Sequence, residues 1–288
     1  METRAGYRVA TALEVAARIA TLERATLFAG GTDLLPRWSK GVLQRPEVLV
    51  DLKRIPELKG VSRNDAEVSI GPCTPLSDLA VDPIIRQTAP VLAEAAGRVA
   101  CAQVRNRATL GGNLCNASPA ADTAVPLILL DATLELTAIG PGGPSVRDVA
   151  ITDFFTGPGA TVLAPGEILT HIRFEPQPPG TFAAWDKFGT RPSMEIAVAS
   201  VGVALRLEGG TVTWVRVGYG SVAPTPLRGR AAEAVLTGSP LSMEVIERAA
   251  AAARAEIAPI TDVRASEAYR RDVVGVMLGR MLKHAGHA

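Results

Sequence analysis

The spacing of apolar and polar residues predicts a helix and two strands near the start of the chain. Leu13, Ala16 and Ala17 fall at i, i+3 and i+4, which is the spacing of one helical face. The short apolar runs 26–29 and 47–52 indicate buried strands. Together they predict a small α/β unit, which we place at residues 1–57.

A second predicted unit, residues 58–175, combines alternating apolar positions with one long helical pattern. The alternation indicates strands, and the apolar run 127–130 indicates a further buried segment. The helical pattern extends over residues 83–99, where Pro90 interrupts or kinks it because proline has no backbone N–H to donate. The predicted strands of this unit are 68–70, 134–138 and 168–174.

The proline-rich segment 176–180 is the clearest break in composition, and it predicts a linker to a C-terminal domain at residues 181–288. In that domain two β-rich runs flank Glu208-Gly209-Gly210, which is typical of a hairpin turn. Two helical patterns follow. The β-rich runs are 198–207 and 212–217, and the helical segments are 245–257 and 267–284.

Composition and charge exclude several classes of function. The chain has 288 residues, of which 47% are hydrophobic and 20% charged, as is usual for globular proteins. Its formal net charge is +1 without a run of basic residues, which argues against nucleic acid as a partner. No apolar stretch approaches the roughly 18 residues of a membrane span, and Met1-Glu2-Thr3-Arg4 shows no signal-peptide pattern. We therefore expect a cytoplasmic protein with no membrane partner.

The cysteines and histidines are too scattered to predict a metal site. Cys73, Cys101 and Cys115 have no C-x-x-C spacing, so they predict neither an iron–sulfur cluster nor a structural zinc site. The three histidines are equally far apart in sequence. Redox chemistry by this chain would need an organic cofactor.

Two glycine-rich segments carry the candidate chemistry. The first glycine motif, residues 29–34, reads Ala-Gly-Gly-Thr-Asp-Leu and directly follows a predicted strand. The second glycine motif, residues 109–113, reads Thr-Leu-Gly-Gly-Asn and lies in the stretch 105–122, which shows no helix or strand pattern. Glycine adopts positive φ without strain, so we expect Gly111 and Gly112 to present backbone N–H groups to an anion such as a diphosphate. Either motif alone is also compatible with a simple turn.

Together the two motifs resemble the FAD-binding subunit of the molybdenum hydroxylases, the family of xanthine dehydrogenase and aerobic carbon monoxide dehydrogenase. In that family an Ala-Gly-Gly loop and a Thr-(Leu/Ile)-Gly-Gly-Asn loop hold the FAD diphosphate from two sides. The resemblance extends over almost the whole chain. It implies an α+β fold, with a two-part α/β FAD-binding domain of the vanillyl-alcohol-oxidase/PCMH type followed by a C-terminal domain of antiparallel sheet plus helices.

The resemblance also assigns residues to the cofactor. Ile168 and Leu169 would pack near the isoalloxazine ring, and Lys187 would approach the flavin, where a positive charge near N1 and O2 stabilises the anionic reduced form. The first glycine motif offers neither His nor Cys, so the FAD would be noncovalent. No catalytic residue and no metal ligand is assigned. The implied cofactor-binding residues are Leu27, Phe28, Ala29, Gly30, Gly31, Thr32, Asp33, Leu34, Thr109, Leu110, Gly111, Gly112, Asn113, Ser118, Asp122, Ile168, Leu169 and Lys187.

The function that this resemblance implies is electron transfer within a molybdenum-containing hydroxylase or dehydrogenase. The chain would take electrons from [2Fe-2S] clusters on one partner, while a molybdopterin-binding large subunit oxidises the substrate, in a heterotrimer or a dimer of heterotrimers. The alternative is a self-contained FAD-dependent oxidoreductase with its own organic substrate. A scaffold without cofactor is disfavoured by the two intact glycine motifs. The sequence leaves open the substrate of the holoenzyme, whether carbon monoxide, an aldehyde, a purine or another N-heterocycle, and the acceptor, whether NAD, a quinone or dioxygen.

Overall fold

The computed structural model describes residues 6–20, 25–44, 46–140, 142–191 and 194–287. Its strands are β1 (Gly6–Val9), β2 (Ala25–Phe28), β3 (Val48–Asp51), β4 (Val61–Arg63), β5 (Val68–Ile70), β6 (Thr133–Gly140), β7 (Gly143–Ala150), β8 (Phe155–Gly157), β9 (Ala160–Thr161), β10 (Ile168–Phe174), β11 (Phe182–Phe188), β12 (Ala199–Glu208), β13 (Thr211–Gly220) and β14 (Leu227–Arg228). Its helices are α1 (Leu13–Ala20), α2 (Leu34–Ser39), α3 (Leu76–Val81), α4 (Pro83–Thr88), α5 (Pro90–Arg98), α6 (Ala102–Arg105), α7 (Leu110–Cys115), α8 (Ala124–Leu129), α9 (Ile151–Phe154), α10 (Arg230–Leu236), α11 (Met243–Glu256) and α12 (Glu267–Ala285), and Pro56–Leu58 forms a 3-10 helix.

The first sheet contains three parallel strands in the order β1-β3-β2. Helix α1 packs on it, with Ala16 and Ala17 fully buried against Val50 of β3. The predicted helix and both predicted strands are therefore present. Strand β2 ends at Phe28, so the first glycine motif leaves the carboxyl end of a parallel strand, where ligands bind in open α/β units.

The second sheet has five strands in the order β4-β5-β10-β6-β7, and each strand is antiparallel to its neighbours. The helices that follow β5 pack on this sheet. Between them lies the largest hydrophobic cluster of the described residues, which includes Leu92, Leu127 and Ile172. Leu110 of the second glycine motif belongs to this core, which therefore supports the motif.

The predicted helical pattern of this unit is interrupted at Pro90 as expected, and its predicted buried run 127–130 is largely helical. The pattern over residues 83–99 forms two helices, since α4 ends at Thr88 and α5 begins at Pro90. Proline lacks the N–H that would continue the first helix, and it fits the first turn of the second. The apolar run 127–130 lies largely in α8. This helix is buried along its whole length, because it lies between the hydrophobic cluster of this unit and strands β12 and β13.

The third sheet is antiparallel, in the order β11-β12-β13-β14, and helices α10, α11 and α12 cover it. Strands β12 and β13 are the predicted pair, and they are joined by Gly209 and Gly210 with φ of +57° and +79°. Positive φ of this kind favours glycine. The sequence patterns did not indicate β11, which pairs along its full length with β12.

Helix α8 fixes the third sheet against the second unit. It lies across β12 and β13 where side chains are missing, since a Cβ on Gly202 would come within 2.9 Å of Leu129 and Val125. At the edge of this contact Arg216 donates to Asp131 at 2.7 Å. None of the helices in the described ranges combines the length and the apolar composition that a bilayer span requires.

A buried arginine holds the C-terminal domain together, and its removal should be costly. Arg270 is 3% exposed and donates to the carbonyl oxygens of Val198 and Ser221. It also pairs with Asp262 at 2.7 Å.

Arg270→Met would leave these buried acceptors without their donor, so we expect the free energy of unfolding to fall by about 3 kcal/mol. Urea unfolding followed by circular dichroism measures this. Arg264→Met is the matched control, because Arg264 pairs with the same carboxylate from a more exposed position and should cost less than about 1 kcal/mol. Equal losses in the two variants would contradict the assignment.

Candidate functional site

A cavity of about 410 Å³ lies between the first sheet, helix α7 and strand β10, and both glycine motifs line it. The predicted cofactor residues that the structure brings to its wall are Leu27, Phe28, Ala29, Gly30, Gly31, Thr32, Asp33, Leu34, Thr109, Gly111, Gly112, Asn113, Ile168 and Leu169. Those that it does not bring there are Leu110, Ser118, Asp122 and Lys187. Residues of the wall that the sequence did not indicate include Leu52, Pro72, Cys73, Val104 and Cys115.

The first glycine motif supplies free backbone donors. Gly31 has φ of +69°, in the left-handed region that favours glycine. Counting only acceptors in the described part of the chain, the N–H groups of residues 30–33 donate to no protein atom. Consecutive free N–H groups beside a left-handed residue form a concave nest that binds anions. The prediction of an anion-binding loop at this position therefore agrees with the backbone geometry.

The first glycine motif meets the segment just before the second motif, main chain to main chain. A Cβ built on Gly30 would lie 2.2 Å from the Arg107 carbonyl oxygen and 2.8 Å from the Ala108 Cα. Both are main-chain atoms, which cannot move aside as the end of a flexible side chain can. Glycine is therefore required at position 30 by the close approach of the segment that leads into the second motif.

The second glycine motif differs from its prediction. Neither Gly111 nor Gly112 has positive φ, and the motif begins helix α7, capped by Thr109 Oγ1, which accepts from the Gly112 N–H at 3.1 Å. The Gly111 N–H donates to the Pro72 carbonyl oxygen at 2.8 Å. A Cβ on Gly111 would lie 2.4 Å from the Pro72 Cβ. Tight packing on Pro72, rather than positive φ, is the reason for glycine here, and the N–H groups of both glycines are already bonded.

Asn113 is the side chain through which the second motif can donate into the cavity. Its Oδ1 accepts a hydrogen bond of 2.6 Å from the hydroxyl of Thr123, which is fully buried. This bond fixes the orientation of the amide and directs its NH2 away from Thr123. Thr123 was not among the predicted residues, because nothing in its local sequence marks it.

Apolar side chains complete the wall and the core beneath it. Ile168 and Leu169 in β10 are 2% and 4% exposed and lie at the floor of the cavity. Leu110 is fully buried in the core, so its side chain supports the motif and does not reach the cavity. Ser118 lies in the turn after α7, where its Oγ accepts from the Ala120 N–H at 3.2 Å.

A polar group that the sequence did not indicate lies behind the first glycine motif. Lys53 Nζ donates to the Ala29 carbonyl oxygen and to Asp51 Oδ1, both at 2.7 Å. Asp51 is buried, and its Oδ2 accepts from the Tyr7 hydroxyl at 2.6 Å. Burial acts to raise the pKa of Asp51, but the hydrogen bonds from Lys53 and Tyr7 outweigh it and hold the pKa below its ordinary value.

Asp122 and Lys187 form a buried ion pair between the two halves of the chain. Lys187 Nζ lies 2.7 Å from Asp122 Oδ2, and these side chains are 6% and 9% exposed. Nζ also donates to the Arg98 carbonyl oxygen at 2.8 Å. Burial raises the pKa of Asp122, and the Lys187 ammonium acts in the opposite direction. Lys187 lines a second cavity of about 590 Å³, to which Arg98, Arg105 and Arg191 also contribute.

Thiols are present at the first cavity, but they do not form a metal site. Burial raises the pKa of Cys73 to about 12, so this thiol stays protonated at neutral pH. Within the ranges that the structure describes, no group of three or more His, Cys, Asp or Glu could hold a metal ion.

Family models match both halves of the chain. Residues 3–177 match the FAD binding domain in molybdopterin dehydrogenase, and residues 184–285 match the CO dehydrogenase flavoprotein C-terminal domain. The chain belongs to the FAD-binding subunits of the molybdenum hydroxylases. It is an oxidoreductase flavoprotein subunit, of the kind that transfers electrons within multi-subunit xanthine and carbon monoxide dehydrogenase complexes.

Relatives of this FAD subunit are similar over nearly its whole length. It is 34% identical over 281 residues to a xanthine dehydrogenase FAD-binding subunit of Escherichia coli O157:H7, covering 97% of this chain and 94% of the relative. It is 37% identical over 261 residues to the carbon monoxide dehydrogenase medium chain of Hydrogenophaga pseudoflava, covering 91% and 89%. A solved structure of carbon monoxide dehydrogenase from that organism superposes with a TM-score of 0.92, covering 98% of this chain and 97% of that one at 37% identity. The α+β fold predicted from the resemblance is thereby confirmed.

The cavity of the FAD subunit has the donors and surfaces that FAD requires. The free N–H groups of residues 30–33 suit a diphosphate, which needs several donors and no acceptors. Gly112 is exposed at the wall, where a missing side chain leaves room for a ligand. The buried side chains of Ile168 and Leu169 offer an apolar surface for a flat ring.

Gly30→Ala tests the contact between the two motifs. The added Cβ would clash with the Arg107 carbonyl, so the motifs must separate, and we expect FAD to bind at least about 100-fold more weakly, a loss of about 2.8 kcal/mol. Titration of flavin-free protein with FAD, followed by flavin fluorescence, measures this. Gly157→Ala is the control, because a Cβ there would meet no atom within 4 Å. Unchanged FAD affinity in Gly30→Ala would remove this contact from the site.

Proposed function

We propose that the chain holds noncovalent FAD in the 410 Å³ cavity and passes electrons from partner [2Fe-2S] clusters to an external acceptor. The observation that carries the proposal is the row of free N–H groups at residues 30–33, all of which line the cavity together with the second glycine motif. Such a row, without an acceptor in the described chain, is costly unless a ligand or solvent satisfies it. When bound, FAD can exchange electrons with both one-electron and two-electron partners, which is the chemistry that this subunit's position between clusters and acceptor requires.

Several of the predicted residues have distinct parts in the proposed site. Residues 30–33 would donate to the diphosphate, and Asn113 would add a side-chain donor. Ile168 and Leu169 would pack against the isoalloxazine. Asp122 and Lys187 would set the charge on the side of the C-terminal domain, and Ser118 would lie near the rest of the cofactor. Leu110 would support the second motif from the core.

The partners follow from the relatives and from what the described chain lacks. The relatives are medium chains or FAD subunits of larger enzymes, and the three cysteines of this chain are one fewer than the four thiolates that hold a [2Fe-2S] cluster. We propose a [2Fe-2S] subunit and a molybdopterin-binding large subunit as partners, in a heterotrimer or a dimer of heterotrimers. Family membership removes the self-contained oxidoreductase as an alternative. A cytoplasmic location stays a prediction.

The cofactor and the partners can be tested on the protein purified from its native source. We expect flavin absorption bands, release of the chromophore into the supernatant on acid precipitation, and a mass equal to that of FAD. We also expect copurification with one iron–sulfur chain and one molybdenum-containing chain. Flavin that stays with the precipitate would contradict noncovalent binding, and a flavoprotein that purifies alone with full substrate turnover would contradict the proposed assembly.

The ion pair between Lys187 and Asp122 predicts opposite shifts in redox potential. Lys187 does not line the FAD cavity, but the resemblance places its positive charge near the flavin. Lys187→Met would remove that charge, so we expect the two-electron potential of bound FAD to fall by about 30 mV, which corresponds to about 1.4 kcal/mol. Asp122→Asn leaves the lysine uncompensated and should raise the potential. Spectroelectrochemical titration of the FAD-loaded variants measures both. Shifts of the same sign in the two variants would show that packing, and not charge, is the cause.

A further inference from the structure

Lys53 lies directly behind the first glycine motif, and its ammonium group is fully engaged there. In addition to the Ala29 carbonyl and Asp51, Nζ lies 4.2 Å from the centroid of the Phe28 ring. Ala29 and Phe28 line the cavity, whereas Lys53 itself is not part of the wall. The lysine therefore contacts the motif without lining the cavity.

The bond from Lys53 fixes the direction of one backbone donor. A trans peptide directs its C=O and its N–H to opposite sides, and the described residues contain no cis peptide bond. Because the Ala29 carbonyl oxygen is held by Lys53, the N–H of Gly30 must point away from Lys53, and Gly30 is one of the residues that line the cavity. Gly30 on one side of this peptide makes it easier to rotate, so an anchor on its carbonyl has a large effect on where the donor points.

The same lysine cancels a negative charge behind the anion site. Asp51 is 5% exposed, and Oδ1 also accepts from the Lys53 backbone N–H at 2.9 Å. Its other oxygen is occupied by Tyr7. Without the ammonium group this buried carboxylate would face the back of a motif that has to receive an anion, and like charges in a poorly solvated place repel strongly.

We propose that Lys53 is a positioning residue of the cofactor site, which holds the Ala29–Gly30 peptide so that the Gly30 N–H points at the anionic part of the cofactor. It acts through the backbone and does not contact the cofactor itself. The inference rests on the proposed function, since the anion is taken to be the FAD diphosphate.

The test uses the full chain, freed of flavin and titrated with FAD. Lys53→Met keeps most of the methylene stem and removes the donor and the charge. We expect it to bind FAD about 10- to 100-fold more weakly and to change the 31P resonances of the bound diphosphate, because one donor no longer points at it. Lys53→Arg can still donate to the carbonyl and should restore most of the affinity. Lys40→Met, an exposed position at the end of α2, removes the same charge without touching the peptide and should leave both readouts unchanged.

The possible results separate the proposed function from the positioning role of Lys53. If the unmodified chain does not take up FAD, the proposed function fails. If it does, and Lys53→Met has the same affinity and the same 31P spectrum, only the positioning role is overturned. An equal loss in Lys40→Met, or weaker binding without a 31P change, would also overturn it, because long-range charge or general destabilisation would then be sufficient. If Lys53→Met does not fold, Lys53→Gln replaces it. The glutamine side chain is one atom shorter, so its amide cannot hold the Ala29 carbonyl in the same place. FAD affinity and a 31P spectrum equal to those of the unmodified chain would again overturn the role.

Discussion

The contact between Gly30 and the Arg107 carbonyl is the constraint on which the rest of the site depends. There is no space between them for a single Cβ, so the first sheet and the second unit meet main chain to main chain. This approach encloses a cavity that neither unit could form alone, because one contributes the strand end and its loop and the other contributes α7 and β10. A two-part FAD-binding domain acts as one site here because glycine lets its parts come this close.

The two glycine motifs make different contributions to the cavity. The second motif uses its N–H groups within the protein, on Pro72 and on its own cap at Thr109, so it gives the cavity its shape and one amide side chain. The first motif leaves its N–H groups free and is the main source of donors. Polar groups outside the cavity wall hold two of the groups that line it: Lys53 bonds to the Ala29 carbonyl, and Thr123 bonds to the Asn113 amide. Preorganised donors of this kind lose less entropy when the ligand binds.

The C-terminal domain belongs to the site as well as to the fold. Helix α8 packs into the space left by Gly202, and Asp131 pairs with Arg216, so β11 is held in a fixed place beside the FAD-binding domain. Lys187 of β11 can then reach Asp122, which follows the second glycine motif in sequence. Because both side chains are almost fully buried, this pair is sensitive to any movement between the two halves of the chain.

The sequence by itself determined the helices and strands whose apolar spacing is clear, such as α1, β3 and β12, but not β11 or α7. It also determined where the glycine motifs lie and which family they resemble. These are local properties, since periodicity reports the burial of a segment and a motif needs only neighbouring residues. Tertiary structure alone decided that the Gly111–Gly112 pair begins a helix, because the carbonyl that binds Gly111 belongs to Pro72, far away along the chain. It also placed Leu110 in the core and brought Lys53 behind Ala29. A glycine pair is compatible with several backbone conformations, and only the atoms that pack against it select one.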